Sequence, residues 1–208
     1  MKAAWAKAES WMQLPAVFWG GLAVLGAAGA GLVLYATTWG PGIGGDATIY
    51  ITSARNLLAG VGLGLVGPQG EFRLLPYFPP FFSLVLSFLG LFTANLEAAA
   101  RWLNAVLMGG LVVLAGLMTA RATRSTLYAW LAAGLTLASP VLMPAAVWAM
   151  SEPLALFLGF ASLAVLLRRW AEGPRWKSLM IAGVLAGLAF LTRYNAVAFA
   201  AAGGLGLL

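Results

Sequence analysis

Apolar residues run along this chain in long blocks, over 14–39, 79–92, 102–120, 126–148, 153–167, 178–192 and 196–208, parted by short basic or Pro/Gly-rich breaks. A helix that crosses the hydrocarbon of a bilayer needs roughly 20 mostly apolar residues. The pattern therefore predicts an all-α fold, a polytopic bundle of transmembrane helices. One block stands apart. Residues 79–92 are 14 in number, begin at Pro79-Pro80 and end at Thr93-Ala94-Asn95, a length that suits an interfacial or re-entrant helix better than a crossing.

Charge arbitrates between the two topologies, because cytoplasmic loops are enriched in Lys and Arg. With Lys2 and Lys7 inside and every block counted as a span, Arg121, Arg124, Arg168, Arg169, Arg175 and Lys177 all fall outside. If 79–92 does not cross, the helix starting near Arg101 runs inward to Arg121 and Arg124. The helix from Thr126 then returns outward, the one after Glu152 runs inward to Arg168 and Arg169, and the one from Ser178 runs outward to Arg193. Eight of the twelve basic residues now lie inside, with Arg55, Arg73, Arg101 and Arg193 outside. This arrangement places residues 40–100 in one long outer loop that carries amphipathic and interfacial helices, and makes a second, short outer loop near 149–153. The N-terminus is then cytoplasmic and the active face extracytoplasmic, in a multi-pass protein of the plasma (inner) membrane.

Composition strengthens the membrane reading: 62% of the 208 residues are apolar and 9% are charged, against about 25% charged in soluble domains. The net charge of +6 comes from small clusters between apolar blocks, so it reads as a topology signal and not as a nucleic-acid surface. The chain has no Cys and no His, which removes disulfides, thiolate chemistry, imidazole bases and the usual zinc sites from this stretch. Its chemistry rests on carboxylates. The first block is too long for the core of a cleaved signal and is read as a retained helix. The final block stops without a polar terminus, and the chain is read as the N-terminal part of a longer protein.

Two acids fall on the outer side. Asp46 follows Gly40-Pro41-Gly42-Ile43-Gly44-Gly45 and opens a helical run in which Tyr50, Ala54, Leu57 and Leu58 share a face. Asp is a favoured N-cap, so capping and chemistry are both open readings. An acid close to hydrocarbon is costly, which favours a function. Glu152, in Ser151-Glu152-Pro153, suits the positive end of a helix and equally a catalytic pair with Asp46. Arg193, with Tyr194 and Asn195, closes an apolar helix on the outer side; it either snorkels or forks onto phosphate oxygens. Arg55 and Arg73 carry the same two readings. Glycines from Gly20 to Gly31 suit close helix packing, and tryptophans such as Trp39, Trp102 and Trp148 suit an interfacial belt.

In order along the chain, Gly45-Asp46 with Tyr50, Ala54 to Gly60 with Gly62-Leu63, Tyr77-Phe78-Pro79-Pro80-Phe81, Arg101, Ser151-Glu152-Pro153-Leu154 and Leu191-Thr192-Arg193-Tyr194 resemble the GT-C superfamily of membrane glycosyltransferases. The likeness is to its protein O-mannosyltransferases and lipid-modifying relatives. The resemblance implies a polyprenyl-phosphate sugar donor, an acceptor hydroxyl, Asp46 as general base and Glu152 as supporting acid. Tyr50, Arg55, Arg73, Arg193 and Tyr194 join them as candidate substrate-binding residues, Arg193 toward the donor phosphate. Two departures stand out: some relatives place a second acid beside the first-loop Asp, where this chain has Gly45 and Ala47, and some hold a metal through a His. No cofactor is expected within this stretch, and a divalent metal is left to the remainder of the full-length protein. Partners are the lipid-linked donor, membrane lipid and an unidentified acceptor. A transporter or flippase and a non-catalytic membrane subunit are the alternative readings.

Overall fold

Two hydrogen bonds fix the architecture. Arg101 donates from Nε to Thr37 Oγ1 at 2.9 Å and from Nη2 to the Leu34 carbonyl at 2.8 Å. The structure, a computed structural model, describes residues 15–74, 77–170 and 176–206, with side chains at all of these except 168–170. Its elements are α1 (Pro15–Ala36), α2 (Gly45–Leu58), β1 (Gly64–Val66), β2 (Phe72–Leu74), α3 (Phe81–Gly90), α4 (Leu96–Thr123), α5 (Thr126–Leu137), α6 (Leu142–Val147), α7 (Glu152–Trp170), α8 (Trp176–Thr192), a 3-10 turn (Tyr194–Ala196) and α9 (Val197–Leu205). Among the described residues, α1 and α4 are long and apolar enough to cross a membrane, while α3, α5, α7 and α8 are apolar but shorter.

Arg101 thus ties the start of α4 to the end of α1. Carbonyls in the last turn of a helix lack intrahelical donors, and a guanidinium there also complements the helix dipole. Arg101 therefore caps its neighbour. From this point α4 runs back along α1, with Gly109 against Gly26 and Gly116 against Leu22. A Cβ on Gly109 would lie 2.7 Å from the Gly26 carbonyl oxygen, so the small residues permit the close approach that membrane helices use when lipid supplies no hydrophobic drive.

Residues 38–95 consequently leave from and return to the same end of the bundle. Within them α3 has 10 residues, about 15 Å at 1.5 Å per residue, half the roughly 30 Å of a hydrocarbon core. It lies along α2, where Ser83 Oγ and Ser87 Oγ each donate at 3.1 Å to the carbonyls of Tyr50 and Ala54. The Asn95 side chain caps α4 by accepting from Ala98 N at 2.8 Å, and Arg124, at φ 54°, closes it. After α5, helix α7 runs parallel to α4, with Phe157 on Gly110 and Arg121 Nη1 reaching the Ala164 carbonyl at 3.4 Å. Helix α8 returns antiparallel to α7 through a buried Ser162 Oγ to Ala182 O bond of 2.8 Å. The end of α1, residues 38–95, and the starts of α4 and α7 all gather at one end, referred to below as the loop end.

The structure corrects three expectations. The block 126–148 is not one helix: α5 stops at Leu137 and a short α6 follows. The break falls at Ser139-Pro140, where proline lacks an N–H and restrains the residue before it, while Ser139 Oγ accepts from Val141 N and Leu142 N. The long outer loop ends at Asn95, because α4 begins at Leu96. The chain is nearly all-α, since β1 and β2 pair as an antiparallel hairpin with Gly64 opposite Leu74. Lys2, Lys7, Arg175, Trp5 and Trp11, the side chains of Arg168 and Arg169, and the chain's last residues lie outside the described residues.

Candidate active site at the loop end

Glycines begin the site. Gly42 N donates to the Val147 carbonyl and Ala149 N donates to the Gly42 carbonyl, both at 2.9 Å, which joins the glycine-rich segment before α2 to the segment before α7. The indole of Trp148 covers the joint: a Cβ at Gly42 would sit 2.6 Å from Trp148 Cδ2, and one at Gly44 2.8 Å from Cζ3. Trp148 is therefore a packing plate, where the sequence suggested a residue of an interfacial belt. From below, the fully buried Asn104 of α4 donates through Nδ2 to the carbonyls of Trp148 at 2.8 Å and Met150 at 3.3 Å.

This joint brings two chain segments that bear acids to one end of the molecule. Asp46 is half-buried in the first turn of α2, whose N-cap is Gly44 and carries no side-chain cap. Asp46 thus does not cap the helix. Among the described residues no hydrogen bond or ion pair holds its carboxylate.

One turn on, Tyr50 is 3% exposed and packed edge-on by Phe78 and Phe82 at ring distances of 5.6 and 5.3 Å. Its hydroxyl accepts from Ser151 Oγ at 3.3 Å, and Ser151 Oγ accepts from Arg193 Nη1 at 3.5 Å. These are long contacts of the kind that tighten when a ligand binds. Arg193 Nη1 also lies 2.6 Å from Glu152 Oε1, while Glu152 Oε2 is buried with no hydrogen-bond partner among the described residues. Arg193 reaches this position because the backbone is extended, at φ −151°, where α8 gives way to the 3-10 turn. Burial pushes the Tyr50 phenol above its ordinary range; the Ser151 hydrogen bond and the Arg193 charge oppose that, and the charges of Asp46 and Glu152 add to it. Tyr50 is accordingly a neutral hydroxyl at physiological pH, and both acids act on it.

The remaining candidates lie elsewhere. Arg55 pairs with Glu97, and the exposed Arg73 pairs with Glu71 at 2.7 Å along the same arm of the hairpin; no contact of the Tyr50 cluster includes either arginine. Tyr194 follows Arg193 and leans on Phe190 at 5.3 Å. A cavity of about 270 Å³ lies on Tyr50 between Ser53, Leu63, Leu74, Phe78 and Pro80, and an apolar groove of about 540 Å³ runs between α7, α8 and α9 from Phe190 and Val197 toward Leu179. Among the described residues no three His, Cys, Asp or Glu side chains converge.

Sequence reasoning passed over Ser151 and Asn104 as working residues. A Ser just before Glu-Pro is a readable helix-start signal. A lone amide inside an apolar block is a readable anomaly, since polar groups in membrane helices are kept for a reason.

Comparison with known families matches the chain to the model described as dolichyl-phosphate-mannose-protein mannosyltransferase over residues 69–208, about two thirds of the chain. Arg73, Asn104, Ser151, Glu152, Arg193 and Tyr194 lie within the match, and Asp46, Tyr50 and Arg55 precede it. No curated protein and no solved structure matches the chain.

Proposed function

The chain belongs to the dolichyl-phosphate-mannose-protein mannosyltransferase family, a family of membrane glycosyltransferases that use a lipid-linked sugar, and on that footing we propose that it moves a sugar from a polyprenyl phosphate to an acceptor hydroxyl at the outer face of the membrane. The observation that carries this reading is the joint between Gly42 and residues 147–149, because it sets the segment that bears Asp46 and Tyr50 beside the one that bears Ser151 and Glu152, where Ser151 links Tyr50 to Arg193 and Arg193 pairs with Glu152.

In the proposed reaction Asp46 takes the proton of the acceptor hydroxyl as its oxygen bonds to the anomeric carbon. The bond from that carbon to the phosphate oxygen breaks, and the polyprenyl phosphate leaves with the electron pair. Asp46 suits the base because no donor or cation occupies its carboxylate among the described residues. Glu152 holds Arg193 in place through Oε1 and offers the unpartnered Oε2 to a sugar or acceptor hydroxyl. The Glu152 and Ser151 contacts both use Nη1 of Arg193. Guanidinium has five N–H donors, so a phosphate oxygen can add to the same group and have its developing charge stabilised there.

Tyr50 and Tyr194 complete the proposed substrate contacts. Arg55, held by Glu97 in the first turn of α4, and Arg73, held by Glu71, meet headgroups or the donor only at the margin. The sidedness follows the basic clusters: the loop end is the extracytoplasmic end of a multi-pass protein of the inner membrane. Glycosyl transfer by the full-length protein in membranes supplied with polyprenyl-phosphate mannose tests the reading. Asp46→Asn is expected to lower transfer by about 10²-fold or more, and Glu152→Gln by a smaller factor. Unchanged transfer in Asp46→Asn overturns the assignment.

A further inference from the structure

We propose that Asn104 is a positioning residue for the two carboxylates, acting through the joint between Gly42 and residues 147–150. The proposal rests on reading Asp46 and Glu152 as the working acids.

Asn104 sits within α4, one of the two helices long enough to span a bilayer, and exposes no surface. A buried amide is costly unless its hydrogen bonds are made. Its orientation is fixed by chemistry: the groups it faces are the carbonyls of Trp148 and Met150, which only accept, so the NH₂ must point at them and Oδ1 away. Oδ1 is then buried without a partner among the described residues. The side chain gives up satisfaction of its acceptor while both its contacts go to one turn, an arrangement that packing alone does not call for.

Two holders outside that turn take its polar backbone atoms: Val147 O and Ala149 N go to Gly42, while Met150 O and Trp148 O go to Asn104, Trp148 O also accepting from Met150 N within the turn at 2.8 Å. Gly42 lies four residues before Asp46, and Met150 two before Glu152. A displacement of the turn therefore moves both acids together. Because Asn104 belongs to a long helix locked to α1 by Arg101 and by the Gly26–Gly109 contact, it references the site to the rigid bundle and not to the loops.

Asn104→Asp keeps the side-chain volume but removes the amide donors, and Asn104→Leu removes polarity altogether. In the full-length protein both variants are expected to lower the transfer rate at saturating polyprenyl-phosphate mannose by about 10- to 100-fold, with the donor KM within about threefold. The chain has no cysteine, so spin labels at Ile43→Cys and Val141→Cys, both exposed positions, report the geometry of the joint independently of activity. Their distance distribution is expected to broaden in the Asn104 variants. Gly42→Ala strikes the same joint from the other side, and its loss combined with Asn104→Asp is expected to be well short of the product of the single losses. A rate within about twofold of the parent, an unchanged distance distribution, or fully multiplicative losses would each overturn the proposal. Asp46→Asn and Glu152→Gln run alongside judge the acids themselves: full transfer in both overturns the catalytic reading whatever Asn104 does.

Discussion

The two ends of the α1–α4 pair are held by opposite means. Toward the middle and far end, Leu22, Gly26 and Gly29 meet Gly116, Gly109 and Val112 through small residues and aliphatic side chains. At the loop end the same helices are joined by a guanidinium, and the segments around them by Asn104, Ser83, Ser87, Ser151 and Tyr50. The difference follows from the backbone. Within helices every N–H and C=O has its partner, so closeness alone sets the association. At the loop end the chain is irregular at 38–44 and 148–151, and irregular backbone near a membrane survives only where side chains or other backbone satisfy it. The polar contacts that satisfy the loops are also the ones that aim the candidate acids.

Breaking the dry end should have the larger effect on folding. Gly109→Leu forces a side chain into the Gly26 carbonyl, already within 2.7 Å of where a Cβ would stand, and should cost about 1–3 kcal/mol or more, read as a large fall in melting temperature of the purified protein. Breaking the loop end at Gly42→Ala should do the reverse, lowering transfer about tenfold or more with a smaller change in melting temperature. Equal effects of the two substitutions on both readouts would erase the contrast. Arg101→Lys is a milder probe of the loop end: an ammonium cannot span Thr37 and Leu34 as the fork does, and the loss should be about 1 kcal/mol of stability.

The smallest effect concerns Tyr50. Its folded-state pKa is raised above the ordinary tyrosine value of 10.0, chiefly by burial. An acid with a raised folded pKa contributes stability that is complete below the unfolded value and is lost as pH rises through the folded one. The melting temperature should therefore decline above about pH 10 more steeply in the parent than in Tyr50→Phe, while below about pH 9 the two should show parallel pH dependence. Convergence of the two curves only at acid pH would contradict the placement of Tyr50.

Much of the contrast was legible in the residues. Block lengths and basic clusters marked 79–92 as too short to cross, and α3 is indeed a short helix laid on α2. The glycines from Gly20 to Gly31 were legible as a packing face, though only Gly21, Gly26 and Gly29 meet a neighbour. Hydropathy missed the stop at Ser139-Pro140 because the residues on either side are equally apolar, and it missed the hairpin because strands of three residues show no period. The pairing of Arg193 with Glu152 and Ser151 was beyond reach for another reason. It depends on the hand-back of α8 onto α7, which no local pattern encodes. Asp46 was read correctly as the start of a helix, yet the cap went to Gly44, since only glycine fits beneath Trp148 there.

The central claim is that Asp46 and Glu152, far apart in sequence, face one site at the outer surface. In the naturally cysteine-free chain, Asp46→Cys with Glu152→Cys can be treated with a short, membrane-impermeant bifunctional thiol reagent applied to intact cells. The account predicts a crosslink in the double variant from the outer side and none in either single variant. Absence of the crosslink, or its formation only after the membrane is opened, would contradict it.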